Sequence, residues 1–422
     1  MHNFNFKILG STLMLLGTCT GAGMLGLPMV AAQYDFSTTL WLLFSSWLVM
    51  TIGAFALLEV NLWMPSGSNL FTMTKNTLGK YGNVLALIIY ILLLYSLITL
   101  YISNSSDLLQ GYLARYNIYI SHGSSTLIAF SILLGIEIFG IRIIDLANRW
   151  LMFIKLSSLA IILAIMLYHI EPEYITIGEH TYFSSSSFMA MITAFGFAII
   201  LPSLRDYLDD NHKSLIISMI IGCIIPLLLY AVWILAVHGM IPKTGANGLL
   251  SIAGDNNPSS SLIEAISVTS GYPFLTRLSG LFIAVCTVTS FLGVGLCLVD
   301  FIKDILNNFC MNSYREEELE RCLNKKIVNL STLIRSLFVY TLAFAIPLIA
   351  VLLNPGLFLA ALSYAGTLVL MFLVILPLIM LYRGRYHLSF TGKKFIPGGK
   401  ITIILLLLIN SIVLFSPIIN LL

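Results

Sequence analysis

A glycine-rich interruption inside the first membrane-length apolar run constrains this chain more than any other feature. Gly17-Thr18-Cys19-Thr20-Gly21-Ala22-Gly23-Met24-Leu25-Gly26-Leu27-Pro28 lies within an apolar run over residues 8–31. Inside a helix Gly costs about 1 kcal/mol relative to Ala, and Pro about 3 kcal/mol. In hydrocarbon the freed N–H and C=O groups find no water. Irregular backbone at that depth is tolerated where it lines a polar cavity, and there its groups become ligands for solutes or ions. The stretch therefore predicts a broken spanning helix.

Two other readings of the same residues are weaker. Gly21-Ala22-Gly23-Met24-Leu25-Gly26 fits G-x-G-x-x-G, but a dinucleotide site needs a strand before it, a helix after it and an acid about 20 residues on. Here Pro28 cuts the supposed helix, and the nearest acid, Asp35, comes only 14 residues after Gly21. Gly17-x-x-x-Gly21 also matches a helix-packing motif of membrane spans. That reading is compatible with a break, since a broken helix must still pack closely.

Composition sets the class. The chain has 422 residues, 58% hydrophobic and 10% charged, against about 25% charged in soluble domains. This predicts an all-α polytopic membrane protein. Eleven spans are expected, over 8–31, 39–62, 84–112, 125–141, 150–169, 187–204, 214–239, 276–301, 332–353, 357–381 and 401–421, each near spanning length. No cleavable signal peptide is expected, because the first run is too long and lacks a small-residue cleavage site. With the N-terminus in the cytoplasm, 18 of the 22 Lys and Arg fall on the inner side, and only Arg115, Lys243 and Arg277 fall outside. That bias fits the positive-inside rule and puts the C-terminus outside. Lys155 lies within a span.

The function classes narrow accordingly. The six cysteines form no C-x-x-C pair and read as apolar fillers. There is no H-E-x-x-H or G-x-S-x-G. No metal site, cofactor, nucleic-acid partner or enzyme activity is expected. A sensor would carry a sizeable soluble output domain, and none is evident.

The sixth span repeats the anomaly of the first. Thr193-Ala194-Phe195-Gly196-Phe197-Ala198-Ile199-Ile200-Leu201-Pro202 places a glycine at mid-membrane with a proline beyond. Five spans on, it crosses in the opposite direction. Paired interruptions in two inverted halves point to a transporter binding site. The expected architecture is one transmembrane domain, with repeat one over 8–169, repeat two over 187–381 and an extra helix over 401–421. Two polar segments stand apart. The outer stretch 240–272 either caps the outer mouth or is passive. The inner stretch 303–326, with Arg315-Glu316-Glu317-Glu318-Leu319-Glu320-Arg321, reads as a solvated or interfacial helix.

At this point the chain resembles a known family. The likeness is carried by Gly17-Thr18 to Pro28, by Leu58-Glu59-Val60-Asn61 with Pro65-Ser66-Gly67 and Thr77-Leu78-Gly79-Lys80, and by Asn148-Arg149. Phe195-Gly196-Phe197 with Pro202-Ser203-Leu204, and Ser290-Phe291-Leu292-Gly293-Val294 with Asp300-Phe301, extend it. Asn354-Pro355-Gly356, Tyr364-Ala365-Gly366 and Pro397-Gly398-Gly399 complete it. These blocks are similar to those of the hydroxy and aromatic amino acid permeases of the amino acid–polyamine–organocation superfamily, and closer to the tyrosine and tryptophan carriers. The resemblance implies eleven spans, a leucine-transporter-like core and proton-driven uptake of an aromatic amino acid across a bacterial inner membrane. Serine or threonine as substrate, and sodium as coupling ion, stay open as alternatives.

The chemistry of an amino acid then distributes the candidate residues. Its carboxylate suits backbone N–H groups at the positive end of a half-helix, here Gly21, Ala22 and Gly23 with Thr20 alongside. Its ammonium suits carbonyls near Thr18 and around Phe195 and Gly196. Its ring needs an apolar wall, for which Phe195, Phe197, Tyr95 and Tyr101 are candidates. Proton coupling needs an ionisable group inside the membrane. Lys155 lies about 9 Å beyond Arg149 along a helix. The resemblance to proton-coupled relatives places a span 5 lysine where sodium sits in others, and snorkelling to the inner interface is the competing reading. Glu59, expected against the inner half of span 1, and Glu137, close to Arg142, are rivals. Asp107 is expected near the outer end of span 3, and Asp300, with Lys303 and Asp304 at helical spacing, in an interfacial ion pair. Thr287, Thr289 and Ser290 could serve sodium.

Overall fold

A Leu-, Ile- and Phe-rich run in hydrocarbon satisfies its own backbone only as a helix, and the molecule is built from such helices. The structure, a computed structural model, describes residues 2–138, 141–176, 183–245, 247–310 and 325–419. Side chains are described for these except 2–6, 22, 141–150, 176, 304, 307–310, 325–336 and 416–419. In chain order the helices are α1 (His2–Cys19), α2 (Ala22–Ala31), α3 (Phe36–Leu62), α4 (Leu70–Ala114), α5 (His122–Ile138) and α6 (Ile141–Tyr168). There follow α7 (Pro172–Thr176), α8 (Ser185–Ala194), a 3₁₀ turn (Gly196–Ile200), α9 (Leu201–Tyr207) and α10 (His212–Met240). Next are the short α11 (Leu249–Ala253), α12 (Pro258–Ser270), α13 (Pro273–Cys310) and α14 (Lys325–Leu353). The chain closes with α15 (Phe358–Leu370), a π turn (Met371–Ile375), α16 (Leu376–Tyr386) and α17 (Gly399–Ile419).

Among the described residues seven helices are long and apolar enough to cross a membrane, and the bent pair α1–α2 makes an eighth. Three further apolar helices, within α5, α14 and α17, run to 17 residues or fewer. The third span differs from expectation. It is the part of α4 beyond Gly79, in a 45-residue helix that starts at Leu70 and kinks at Gly79, where φ is +77°. A residue with a Cβ adopts that conformation only under strain. The expected interfacial helix around Arg315–Arg321 lies outside the described residues.

Glycine sets how closely the layers approach. A Cβ on Gly366 of α15 would lie 1.7 Å from the Met189 carbonyl oxygen of α8. A Cβ on Gly53 of α3 would lie 2.4 Å from the Leu373 oxygen in the π turn. Thr193 Oγ1 donates to the Leu362 carbonyl at 2.7 Å, so α8 and α15 are pinned as well as packed.

Charges lock the face that carries the N-terminus. Lys7 pairs with Asp209. Arg205, buried at the end of α9, donates to the carbonyls of Asn61 (2.6 Å) and Met64 (3.0 Å) and to Asp210 (2.6 Å). That hydrogen bond holds the Asp210 carboxyl below its ordinary range. Glu59 departs from expectation. Its carboxylate takes both prongs of the Arg385 guanidinium (2.7 and 2.6 Å) and the Phe395 N–H (2.7 Å). It joins α3 to α16 and the loop beyond it, and leaves span 1 alone. The reason is geometric, since a fork on a buried carboxylate outcompetes neutral partners. Among the described residues, the buried Glu137 has no hydrogen-bond partner on either oxygen, and the Arg142 side chain lies outside them. Asp300 pairs with Lys303 at 3.1 Å, as expected.

Two expected outcomes follow. Gly366→Ala forces α15 off α8 and costs about 1–3 kcal/mol, whereas Gly135→Ala, with nothing within 4 Å of its Cβ, leaves the detergent unfolding midpoint in place. Glu59→Ala strands Arg385 uncompensated and costs about 3–5 kcal/mol, measurable in the same unfolding assay.

Candidate functional site

The first break is where the glycines put it. α1 ends at Cys19, α2 begins at Ala22, and the two halves are bent by 51°. Gly21 caps α2 in an extended conformation (φ −114°, ψ −163°), and its own N–H turns back to the Cys19 carbonyl at 2.7 Å. Ala22 and Gly23, as the first residues of α2, have N–H groups without intrahelical acceptors. They stand at the positive end of a helix.

Several carbonyls of the broken span, at the break and around Pro28, receive a donor from another helix. Lys155 of α6 reaches Gly17 O at 3.3 Å. Tyr230 of α10 donates to Cys19 O at 2.7 Å. The Cys286 thiol of α13 lies 3.7 Å from Thr20 O. Trp233 Nε1 donates to Met24 O at 3.1 Å, and His238 Nε2 to Pro28 O at 3.1 Å. These donors answer the cost of irregular backbone in hydrocarbon.

The second break is gentler. Phe195 leaves helical geometry (φ −99°, ψ 25°), and the chain tightens into the 3₁₀ turn before Pro202 restarts α9. The Tyr230 hydroxyl that serves Cys19 O also lies 2.8 Å from Ala194 O. One O–H is thus shared between the freed ends of both breaks. The halves touch directly too, since a Cβ on Gly23 would meet Ala194 Cα at 3.3 Å.

The expected residues fall into three groups. At the junction are Thr20, Gly21, Gly23, Phe195, Gly196 and Lys155, with the backbone of Ala22. Thr20 Oγ1 is spent on Leu16 O of its own helix, at 2.9 Å. Phe195 is fully buried, its ring centroid 5.0 Å from that of Tyr230. Space beside Gly196 is open for 4 Å around a Cβ position. Lys155 is 1% exposed and turned into the protein, so it does not snorkel. At the margin, Phe197 is fully buried, Tyr101 sits against Ser290, and Tyr95 donates to Leu342 O of α14 at 2.9 Å. Away from the junction are Glu59, held by Arg385, and Thr18, an exposed side chain bonded to Met14 O at 2.9 Å. Of the hydroxyls proposed for sodium, Ser290 Oγ faces Gly21, 2.8 Å from its Cβ position. Thr287 and Thr289 donate to carbonyls of their own helix.

Sequence reasoning missed Tyr230, Trp233, His238 and Cys286. The signal available was a set of donor-tipped side chains in otherwise apolar spans, where a buried O–H or N–H must find an acceptor. Which acceptor was not encoded locally.

The arrangement combines a helix N-terminus for an anion, carbonyls for a cation, a buried amine and an aromatic wall. Residues 5–416 match the tryptophan/tyrosine permease family. The chain is 31% identical over 417 residues to tyrosine-specific transport system 1 of Haemophilus influenzae, covering 97% of this chain and 96% of that protein. It is 29% identical over 432 residues to glutamine transporter 2 of Aliivibrio fischeri, covering 98% and 100%. It is 27% identical over 412 residues to a tryptophan-specific transport protein of Shigella flexneri, covering 95% and 92%.

Removing the shared donor tests the junction. Tyr230→Phe keeps the ring contact and loses the hydroxyl, and should lower stability by about 1–3 kcal/mol. Tyr168→Phe, at a side chain 85% exposed, should leave the detergent unfolding midpoint unchanged.

Proposed function

We propose the function that follows from one premise: this chain belongs to the tryptophan/tyrosine permease family. It is a multi-pass membrane transporter rather than an enzyme, and its cargo is an aromatic amino acid, tyrosine first and tryptophan second. Relatives named for tyrosine and tryptophan transport support the cargo. The observation that carries the mechanism is the convergence of the α2 N-terminus, the carbonyls of both breaks and the Lys155 amine at one buried junction.

In this reading the substrate carboxylate takes the N–H groups of Ala22 and Gly23, with Gly21 and Thr20 shaping the turn. The ammonium takes carbonyls near Thr18 and around Phe195 and Gly196. The ring lies along Phe195 and Phe197, with Tyr95 further along α4. Lys155 serves as the proton carrier. Protonated, its ammonium holds Gly17 O and closes α1 against α6; deprotonated, it loses the charge that strengthens that bond and the half-helix is freer to tilt. A cation at this place also leaves no room for a sodium ion. Glu59, the rival coupling group, is the anchor of Arg385.

The architecture that fits is eleven spans: the eight above and the three shorter apolar helices. They form a five-plus-five inverted repeat (8–169 and 187–381) with the helix 401–421 added. The N-terminus is cytoplasmic, the C-terminus is outside, and the membrane is a bacterial inner membrane.

The deciding experiment is uptake into proteoliposomes of the purified protein under an imposed pH gradient without sodium. Tyrosine and tryptophan should accumulate, and a protonophore should collapse the gradient of substrate. Lys155→Ala should lose gradient-driven accumulation while keeping substrate exchange. Uptake that appears only with sodium would sink the lysine mechanism and move attention to Ser290. Serine, threonine and glutamine should compete poorly; strong competition by any of them would remove the aromatic assignment.

A further inference from the structure

One buried carboxyl takes no part in the junction. Glu137 of α5 is 2% exposed. Among the described residues neither of its oxygens has a hydrogen-bond partner. Its carboxyl carbon and both oxygens lie 3.2–3.3 Å from where a Cβ would stand on Gly295 of α13. The group is therefore pressed against the bare backbone of another helix. An ionised carboxylate held there without partners is far more costly than the neutral acid. Inside a membrane span such a group marks function by default.

The groups that face it come from the helices packed on α5. α13 brings Cys297, Asp300 and Lys303, and α14 brings Tyr340. α4 brings Tyr90, which lies against Cys297. The side chains of Arg142, Asp145 and Arg149 at the start of α6 lie outside the described residues. Asp300 and Lys303 are exposed and pair with each other at 3.1 Å. Phe301 beside them stacks on Phe71 of α4, with ring centroids 5.6 Å apart. Just before α4, Gly67 N–H donates to Asp206 at 3.1 Å, close in sequence to the Lys7–Asp209 pair. This end of α13 thus belongs to the face that carries the N-terminus. Gly295 lies about 7.5 Å along the helix from Asp300. α13 also packs on α6, where Cys286 faces Lys155, about 14 Å along α13 from Gly295. One helix therefore meets both ionisable groups.

We propose that Glu137 is a second proton-binding residue of the transport cycle, a positioning residue that closes the seam between α5 and α13 as the neutral acid and opens it when its proton leaves to the inner side. The proposal rests on the transporter reading and on its cytoplasmic N-terminus. The neutral acid tolerates contact with the Gly295 backbone. The carboxylate does not, and it draws water between α5 and α13. The proton passes to that water at the Asp300–Lys303 end. Low inner pH therefore keeps the seam closed, and rising inner pH opens it. Because α13 also faces Lys155, a shift of its inner half is felt at the junction.

The test has two readouts on the full chain. Dicyclohexylcarbodiimide, which reacts with protonated carboxyls in apolar surroundings, is applied to the protein in lipid, and the peptide that holds Glu137 is read by mass spectrometry. Glu137 should be modified at neutral pH, and more slowly as the pH is raised. No adduct overturns the proposal. An adduct that forms only in Arg142→Gln makes Glu137 the ion-pair partner of Arg142 and overturns it too. The second readout is tyrosine exchange in right-side-out vesicles held at one outer pH while the inner pH is stepped, with vesicles lacking the protein as the blank. Exchange should rise with inner pH by up to about tenfold per pH unit, the limit that one proton sets. Glu137→Gln, neutral at every pH, should keep the slow exchange of low inner pH and lose the rise, and Glu137→Asp should restore it. A merely structural role would lower stability and leave the inner-pH profile of Glu137→Gln like that of the wild type, which overturns the proposal. Where Glu137→Gln fails to fold, the carbodiimide-treated native chain takes its place, and a profile unchanged by treatment overturns the proposal. Absence of tyrosine exchange by the intact chain overturns the transport reading, while the adduct stands.

Discussion

The structure depends on one constraint: a polypeptide that stops being helical inside hydrocarbon must find partners for the backbone groups it releases. Two spans break here, and three neighbouring helices, α6, α10 and α13, contribute to the answer. Lys155, Tyr230, Trp233, His238 and Cys286 approach carbonyls of the first broken span. None of these donors is a neighbour in sequence. The breaks are thus affordable only in the assembled bundle, and folding and site formation are one event.

The same constraint separates moving parts from fixed ones. Where the bundle is meant to stay together, backbones touch through glycine, as at Gly53 and Gly366, or are riveted by a forked ion pair, as at Glu59 and Arg385. Such contacts are costly to part, because they leave a void or a naked charge. At the junction the contacts are single hydrogen bonds from long side chains. A carrier needs both kinds.

Much of this was legible in the sequence. Gly17 to Pro28 and Phe195 to Pro202 announced the two interruptions, because glycine and proline both weaken a helix. The break at Cys19–Ala22 falls inside the stretch so marked. Lys155 stood out as a charge inside a span. The partners did not stand out. Glu59 was expected against span 1 and belongs to Arg385, 326 residues away in sequence. Thr18 was expected at the site and is bonded to its own helix on an exposed face. Tyr230 was overlooked because a tyrosine in an apolar span has no local signature that distinguishes a bridging hydroxyl from one turned to its own helix.

The sequence by itself determined that the chain enters a membrane, where its helices run and where two of them must break, since hydropathy and helix propensity are properties of short windows. Only the tertiary structure decided which groups at the breaks find donors, that one tyrosine hydroxyl lies between both, and that the first turn of α12 is capped by Asp107 of α4. Those are relations between residues tens to hundreds apart. A hydrogen bond is specified by position within a few tenths of an ångström, and the chain acquires that precision only when its helices have packed.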